Sequence, residues 1–184
     1  RQVALTGDGE DPGTVLATMA KGLESQGAQF LVMPCNTAHA WARDIRNAVD
    51  IPLVSIIDET VRASADFESV GLLSTVGCLE SRVYQDGLES AGKQLVLPTV
   101  DELSRIMELV YAVKGGDAGE SAFAGMAAIA QAMIDRGADA IVAGCTEIPL
   151  VLDRARLSAP AIMSTDVLAR ATVAIARGER QLPS

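Results

Sequence analysis

Two stretches of this chain repeat each other, and that repeat limits the possible folds more than any other feature. Gly27-Ala28-Gln29-Phe30-Leu31-Val32-Met33-Pro34-Cys35 aligns without a gap on Gly137-Ala138-Asp139-Ala140-Ile141-Val142-Ala143-Gly144-Cys145. Gly, Ala, Val and Cys coincide, and the apolar positions agree in character. Further on, Pro52-Leu53-Val54 reaches Asp58 in the same number of steps that Pro160-Ala161-Ile162 takes to Asp166. Each half therefore reads as helix, Gly stop, buried strand, cysteine, then Pro, strand, Asp and helix. A glycine–strand match alone is common among βα units. The cysteine match is informative, because the chain has three cysteines and two of them fall in register.

The wider pattern predicts an α/β fold. Short apolar runs alternate with longer amphipathic stretches, as in βα units around a parallel sheet. Strands are predicted at 30–33, 52–56, 70–74, 95–97, 140–143 and 161–163. Helices are predicted at 11–26, 37–48, 79–91, 101–113, 119–136 and 166–177, with Asp58 and Asp166 read as N-caps. Two pseudosymmetric lobes are expected, 1–56 plus 160–184 and 57–159, each a mainly parallel sheet flanked by helices. The active site is expected in the cleft between them.

Composition removes several functions. With 184 residues, 49% apolar and 21% charged, the chain can bury a core and is not disordered. Its apolar runs are too short to span a membrane. Asp plus Glu number 24 against 15 Lys plus Arg, a net charge of −9, which disfavours nucleic acid as a partner. One Trp, two Tyr and three Phe are too few for a base-stacking platform. An odd number of cysteines in a chain this long is not a disulfide scaffold, so a reducing cytoplasm is expected. A single histidine cannot complete a zinc site with such widely spaced cysteines, and no metal is expected.

The registered cysteines carry the chemistry. Each lies just past the carboxyl end of a strand, where parallel α/β sheets place their ligand crevice. Each also precedes a helix, in Cys35-Asn36-Thr37 and Cys145-Thr146-Glu147. The free N–H groups at a helix start favour a thiolate, lowering a pKa of about 8.5 toward neutrality. Facing halves would place the two sulfurs across one cleft. One thiolate could then remove a proton from a carbon while the opposite thiol returns one to the other face, inverting a stereocentre without redox chemistry. The bland alternative is that free cysteines are small buried hydrophobes, and for Cys78, which has no registered mate, packing is the default.

Pro34-Cys35-Asn36-Thr37-Ala38-His39 and Gly144-Cys145-Thr146-Glu147-Ile148 resemble the two signature motifs of the aspartate/glutamate racemase superfamily, closest to its cofactor-independent aspartate racemases. The resemblance extends over essentially the whole chain. It implies two pseudosymmetric α/β lobes, no pyridoxal phosphate or other cofactor, and Cys35 and Cys145 as opposed proton-transfer thiols. It further implies Asn36, Thr37 and Thr146 as binders of the substrate α-carboxylate and amino groups. Arg1 and Lys114 would hold the side-chain carboxylate of an acidic amino acid, aspartate or glutamate. Read without the family, Lys114 is a helix-end lysine. Thr75 and Ser81 could donate hydrogen bonds, while Cys78 falls where a threonine is usual. His39 could tune Cys35 or pack, and Glu147 could orient Cys145 or cap the following helix. The first βα unit expected of the family has no counterpart before Arg1, so the chain reads as trimmed or as a fragment. A homodimer is expected by analogy. Two alternatives stand beside the racemase: a non-catalytic two-lobe binding or sensor protein, and a superfamily isomerase or decarboxylase. Decarboxylases of this kind typically keep one of the two cysteines.

Overall fold

The computed structural model describes residues 11–152 and 157–183; Arg1 lies outside them. The chain begins with α1 (Pro12–Ser25). Asp11 caps it by accepting from the Gly13 N–H at 3.0 Å, and Pro12 supplies a helical φ at a position that needs no donor. β1 (Leu31–Val32) follows, then a 3-10 turn at Thr37–Trp41, α2 (Ala42–Ala48), β2 (Leu53–Val54) and α3 (Ile56–Ala63). The second half runs β3 (Ser69–Leu73), α4 (Val76–Glu80), α5 (Gln85–Ser90), β4 (Gln94–Val96), α6 (Val100–Lys114), α7 (Glu120–Asp135), β5 (Ala140–Ala143), α8 (Ile148–Leu152), β6 (Ala161–Met163) and α9 (Ser164–Ala176). Among the described residues the strands form two parallel sheets, β1-β2 and β4-β3-β5-β6.

The repeat is real in three dimensions. Gly27 and Gly137 both hold positive φ, 91° and 104°. Each ends its helix with the same bond pair: Gly27 N–H to Glu24 O and Ala28 N–H to Leu23 O, then Gly137 N–H to Ile134 O and Ala138 N–H to Met133 O. Strand register repeats as well. Leu31 pairs with Leu53 in the first sheet as Ile141 pairs with Ala161 in the second. Leu31 N–H donates to Pro52 O at 2.8 Å, and Ile141 N–H to Pro160 O at 2.9 Å.

This pairing corrects the expected division of the chain. Residues 160–184 were assigned to the first lobe, yet β6 is hydrogen-bonded to β5 in the four-stranded sheet. The reason lies in the repeat: β6 stands to β5 as β2 stands to β1, so it closes the second half. What crosses back is α9, which packs along α3, its own symmetry mate. Glu59 of α3 locks this junction. Its carboxylate is 5% exposed and accepts two bonds of 2.6 Å from Arg180 and two of 2.8 Å from Arg62. Burial opposes its charge, but the two guanidinium groups outweigh that and hold its pKa below the usual carboxylate range.

The four-stranded sheet has two covered faces. Leu73, Ile141 and Ala143 pack beneath α6, α7 and α8. On the other face Val70, Leu72, Ala140, Val142 and Ile162 meet Val54, Ile56 and Ile57 of the first half, together with Tyr84 and Leu88. One apolar core is thus shared by both halves. A third cluster joins α1, α2, β1 and β2 through Ala20, Leu31, Ala42, Ile45 and Leu53. The symmetry lapses on the outer side of α1. Met19 and Leu23 are 60% and 51% exposed, whereas Ile129 and Met133, at the matching positions of α7, lie in the core cluster with α6.

Other differences are local. Ser55, not Asp58, caps α3 by accepting from the Asp58 N–H, which shortens the expected strand at 52–56. Asp166 sits in the first turn of α9 behind an uncapped Met163. The predicted helix at 79–91 is two helices. Ser81 Oγ donates to Gly77 O and Cys78 O, satisfying late carbonyls of α4, and Arg82 then turns the chain at φ 53°.

A Cβ added at Gly27 or Gly137 meets no atom within 4 Å, so only the backbone resists substitution. Gly27→Ala and Gly137→Ala should each lower stability by about 1–2 kcal/mol, and by similar amounts, in urea denaturation. A large cost at one glycine and none at the other would contradict the structural equivalence.

Candidate functional site

Among the described residues, the cleft is lined by the segments that follow the carboxyl ends of β1, β3 and β5 and by α6. The β1 loop brings Cys35, Asn36 and Thr37, the β3 loop brings Thr75 and Gly77, and the β5 loop brings Cys145, Thr146 and Glu147. Met107, Tyr111 and Lys114 of α6 close one side. These residues line a cavity of 80 Å³. Parallel strands all present the same end, so a sheet places its loops together here. The two loops after β1 and β5 are symmetry mates, which brings both registered cysteines to one cavity. Thr37 and Thr75 hydroxyls approach across it to 3.5 Å. Of the residues predicted for the site, Cys35, Asn36, Thr37, Thr75, Lys114, Cys145, Thr146 and Glu147 converge. His39 stands behind the cleft, and Arg1 is outside the described residues.

Glu147 is the electrostatic centre of the second loop. Its Oε2 accepts from Cys145 Sγ and from Thr146 Oγ1, both at 2.9 Å, and Lys114 Nζ lies 3.8 Å from Oε1. Burial disfavours its charge, yet the two hydrogen bonds and the nearby ammonium keep its pKa below the ordinary value. Cys145 shows the opposite effect. Burial, then the bond to the Glu147 carboxylate, push its thiol up to about 12. This overturns the expectation of a thiolate favoured by a helix start. Helix α8 begins only at Ile148, and the nearest full charge is a carboxylate rather than a dipole. Lys114 Nζ also sits 5.8 Å from the Tyr111 ring centroid.

On the first-half side the order is set from behind. His39 Nδ1 lies 2.8 Å from Cys35 O, and Ile56 N–H donates to its Nε2 at 3.3 Å. The second bond requires an unprotonated Nε2, so Nδ1–H is the donor to the carbonyl. Burial pulls the His39 pKa down and keeps the ring neutral. The ring thus holds the Cys35 backbone carbonyl, which fixes where the loop starts. Cys78 is fully buried in the shared core, and burial pushes its thiol up to about 12.

Tyr84 is the residue that sequence reasoning missed. It is wholly buried, and its hydroxyl donates to Asn36 Oδ1 at 2.5 Å, with Thr60 Oγ1 at 3.5 Å. Burial raises the phenol pKa, so it remains a donor. Because Oδ1 is occupied, Asn36 Nδ2 is the free end of the amide. It is buried without a hydrogen-bond partner in a residue that lines the cavity. A buried N–H₂ left unpaired costs free energy unless a ligand meets it. No sequence signal pointed to Tyr84, which falls inside the stretch 79–91 expected to be one helix.

Among the described residues no three His, Cys, Asp or Glu side chains converge as a metal site would require, and no helix is long and apolar enough to cross a membrane.

The Asp/Glu/hydantoin racemase family matches residues 3–172. A broad specificity amino-acid racemase of Bacillus subtilis, RacX, is 28% identical over 152 residues, covering 82% of this chain and 66% of that protein. A glutamate racemase of Corynebacterium glutamicum is 34% identical over 141 residues, covering 72% of this chain and 49% of that one. This chain thus spans about two thirds of the first relative's length and about half of the second's. The structure of Picrophilus torridus aspartate racemase superposes with a TM-score of 0.81 at 26% identity, over 98% of this chain and 75% of that one. Sequence and fold agree, and the chain belongs to the Asp/Glu/hydantoin racemase family.

Proposed function

We propose that the protein is an amino-acid racemase that moves the α-proton of an acidic amino acid, aspartate or glutamate, between Cys35 and Cys145 without an organic cofactor. One observation carries this reading: two cysteines from symmetry-related loops line the same cavity as an unpartnered Asn36 Nδ2 and the Lys114 ammonium. In the proposed step the Cα–H bond breaks as its proton passes to the Cys35 thiolate. The Cys145 S–H proton is delivered to the opposite face of the carbon. The electron pair left on Cα forms the new C–H bond, so the configuration inverts and no electrons are gained or lost.

The α-proton is weakly acidic, so negative charge developing toward the substrate carboxylate must be stabilised within the cleft. Asn36 Nδ2 and the hydroxyls of Thr37, Thr75 and Thr146 are assigned to the α-carboxylate and amino group. Lys114, with Arg1, is assigned to the side-chain carboxylate. The reading includes a homodimer in the cytoplasm, by analogy with small α/β enzymes of this shape.

The decisive experiment incubates both enantiomers of aspartate and glutamate with the protein in heavy water and follows deuterium at Cα by NMR. Deuterium uptake with inversion is expected, and its loss in Cys35→Ala and in Cys145→Ala. No uptake from any of the four, with both thiols shown to be reduced, would replace the racemase by a binding or sensor protein. Tyr84→Phe supplies a second check. Without the hydroxyl, Asn36 Oδ1 is buried without its donor, which should cost about 1–3 kcal/mol of stability. Loss of amide orientation should also raise KM about tenfold, a loss of roughly 1.4 kcal/mol in binding.

A further inference from the structure

The two halves of the cleft repeat each other at the cysteines and differ at the two positions that follow, of which the second changes charge. Cys35-Asn36-Thr37 superimposes in sequence on Cys145-Thr146-Glu147, so Glu147 occupies the place of Thr37. Thr37 carries a neutral hydroxyl that meets Thr75. Glu147 carries a carboxylate whose one oxygen accepts both the Cys145 thiol and the Thr146 hydroxyl, while its other oxygen faces Lys114. A carboxylate accepts an S–H bond from a thiol but repels a thiolate, because the acceptor and the deprotonated sulfur bear the same charge. The neighbours of Cys145 act in opposite directions: Lys114 and the Glu147 backbone N–H favour the thiolate, the Glu147 carboxylate opposes it, and buried Tyr84 offers no compensating charge. Cys35 belongs to the opposite loop, where the matching position has no carboxylate.

We propose that Glu147 is a positioning residue that makes the two thiols inequivalent, holding Cys145 as the proton-bearing partner at rest and leaving the base role to Cys35. The inference rests on the racemase reading above and deepens it. Two chemically equal cysteines would let either enantiomer meet the resting enzyme on equal terms. With Glu147 in place, the enantiomer whose Cα–H faces Cys35 meets the ready form. Its turnover leaves Cys35 protonated and Cys145 as a thiolate beside a carboxylate. That state is higher in energy, and Lys114, 3.8 Å from the same carboxylate, is the ammonium placed to relieve it.

The test isolates one cleft thiol. In a Cys35→Ser/Cys78→Ala background only Cys145 contributes a cysteine thiolate to the ultraviolet spectrum, and its absorbance is followed against pH, with denatured protein as the reference. Adding Glu147→Gln, which keeps the acceptor and removes the charge, should lower the Cys145 midpoint by about one pH unit or more, a tenfold gain in thiolate fraction. Adding Lys114→Met should raise it. Opposite shifts from the two variants are not produced by a general loosening of the fold, and either variant alone gives a sign. An unchanged or raised midpoint in Glu147→Gln, or a lowered one in Lys114→Met, would overturn the proposal.

In the otherwise native protein, Glu147→Gln should move the pH profile of α-deuterium uptake in the same direction as the midpoint. Uptake by the native protein with an unmoved midpoint would refute the role of Glu147 alone. A shifted midpoint with no uptake from any amino acid would uphold the control of Cys145 by Glu147 and remove the racemase.

Discussion

A parallel sheet cannot leave a face bare, and here one half of the molecule covers the other. Val70, Leu72, Ala140, Val142 and Ile162 form one face of the four-stranded sheet, and Val54, Ile56 and Ile57 from the first half lie against it. Neither β2–α3 nor the sheet would keep its apolar surface out of water alone. Because this burial joins the halves, it also fixes how their strand ends meet. The loops after β1 and β5 then open onto one cavity, and the distance between two thiols far apart in sequence becomes a property of the core rather than of the loops. A site that must hold two acid/base groups on opposite sides of one carbon gains from this, since rigid elements position side chains better than long loops do.

Much of this was legible in the sequence, and the reason is that it depends on backbone. The repeated glycines end both helices ahead of a buried strand, with positive φ at Gly27 and Gly137 and the same bonds to the preceding turn. The repeated Pro-strand-Asp segments fix strand register, because Pro52 O and Pro160 O receive equivalent bonds. The cysteines followed from those registers. Within 160–184, expected in the first lobe, the strand pairs with β5 as β2 pairs with β1, while the helix that follows packs on α3.

What the sequence concealed is what depends on burial and on side-chain direction. Helix-start dipoles suggested an acidified Cys145, but an apolar wall and one carboxylate decide its protonation in the other direction. Nothing along the chain marks Tyr84 as the partner of Asn36, because the hydrogen bond joins a residue after β1 to one between α4 and α5. His39 is similar. Its spacing from Cys35 left tuning of the thiol and packing both open, and the ring spans from the Cys35 carbonyl to the Ile56 amide, tying a cleft loop to the start of α3. Spacing predicts neighbours, whereas donors and acceptors decide which atoms of those neighbours meet.

Glu59 and Glu147 both have cationic partners, and the contrast between them separates a rigid clasp from a loose contact. Glu59 is 5% exposed, with Arg180 at 2.6 Å through two parallel bonds and Arg62 on the same oxygens. Removing either arginine would leave a buried charge short of donors, so this clasp has one arrangement and holds α9 and the following segment to α3. Glu147 meets Lys114 at 3.8 Å, and the lysine side chain is 44% exposed. Solvent and a flexible stem make such a contact worth no more than about 1 kcal/mol. A substrate carboxylate entering the cavity could take Lys114 from Glu147 at little cost, and the Glu147 charge would then act on Cys145 unopposed. The weakness of that ion pair therefore links the two ends of the proposed reaction. In the proposed reaction the lysine assigned to the substrate side-chain carboxylate also faces Glu147, so substrate binding would change the charge beside Cys145.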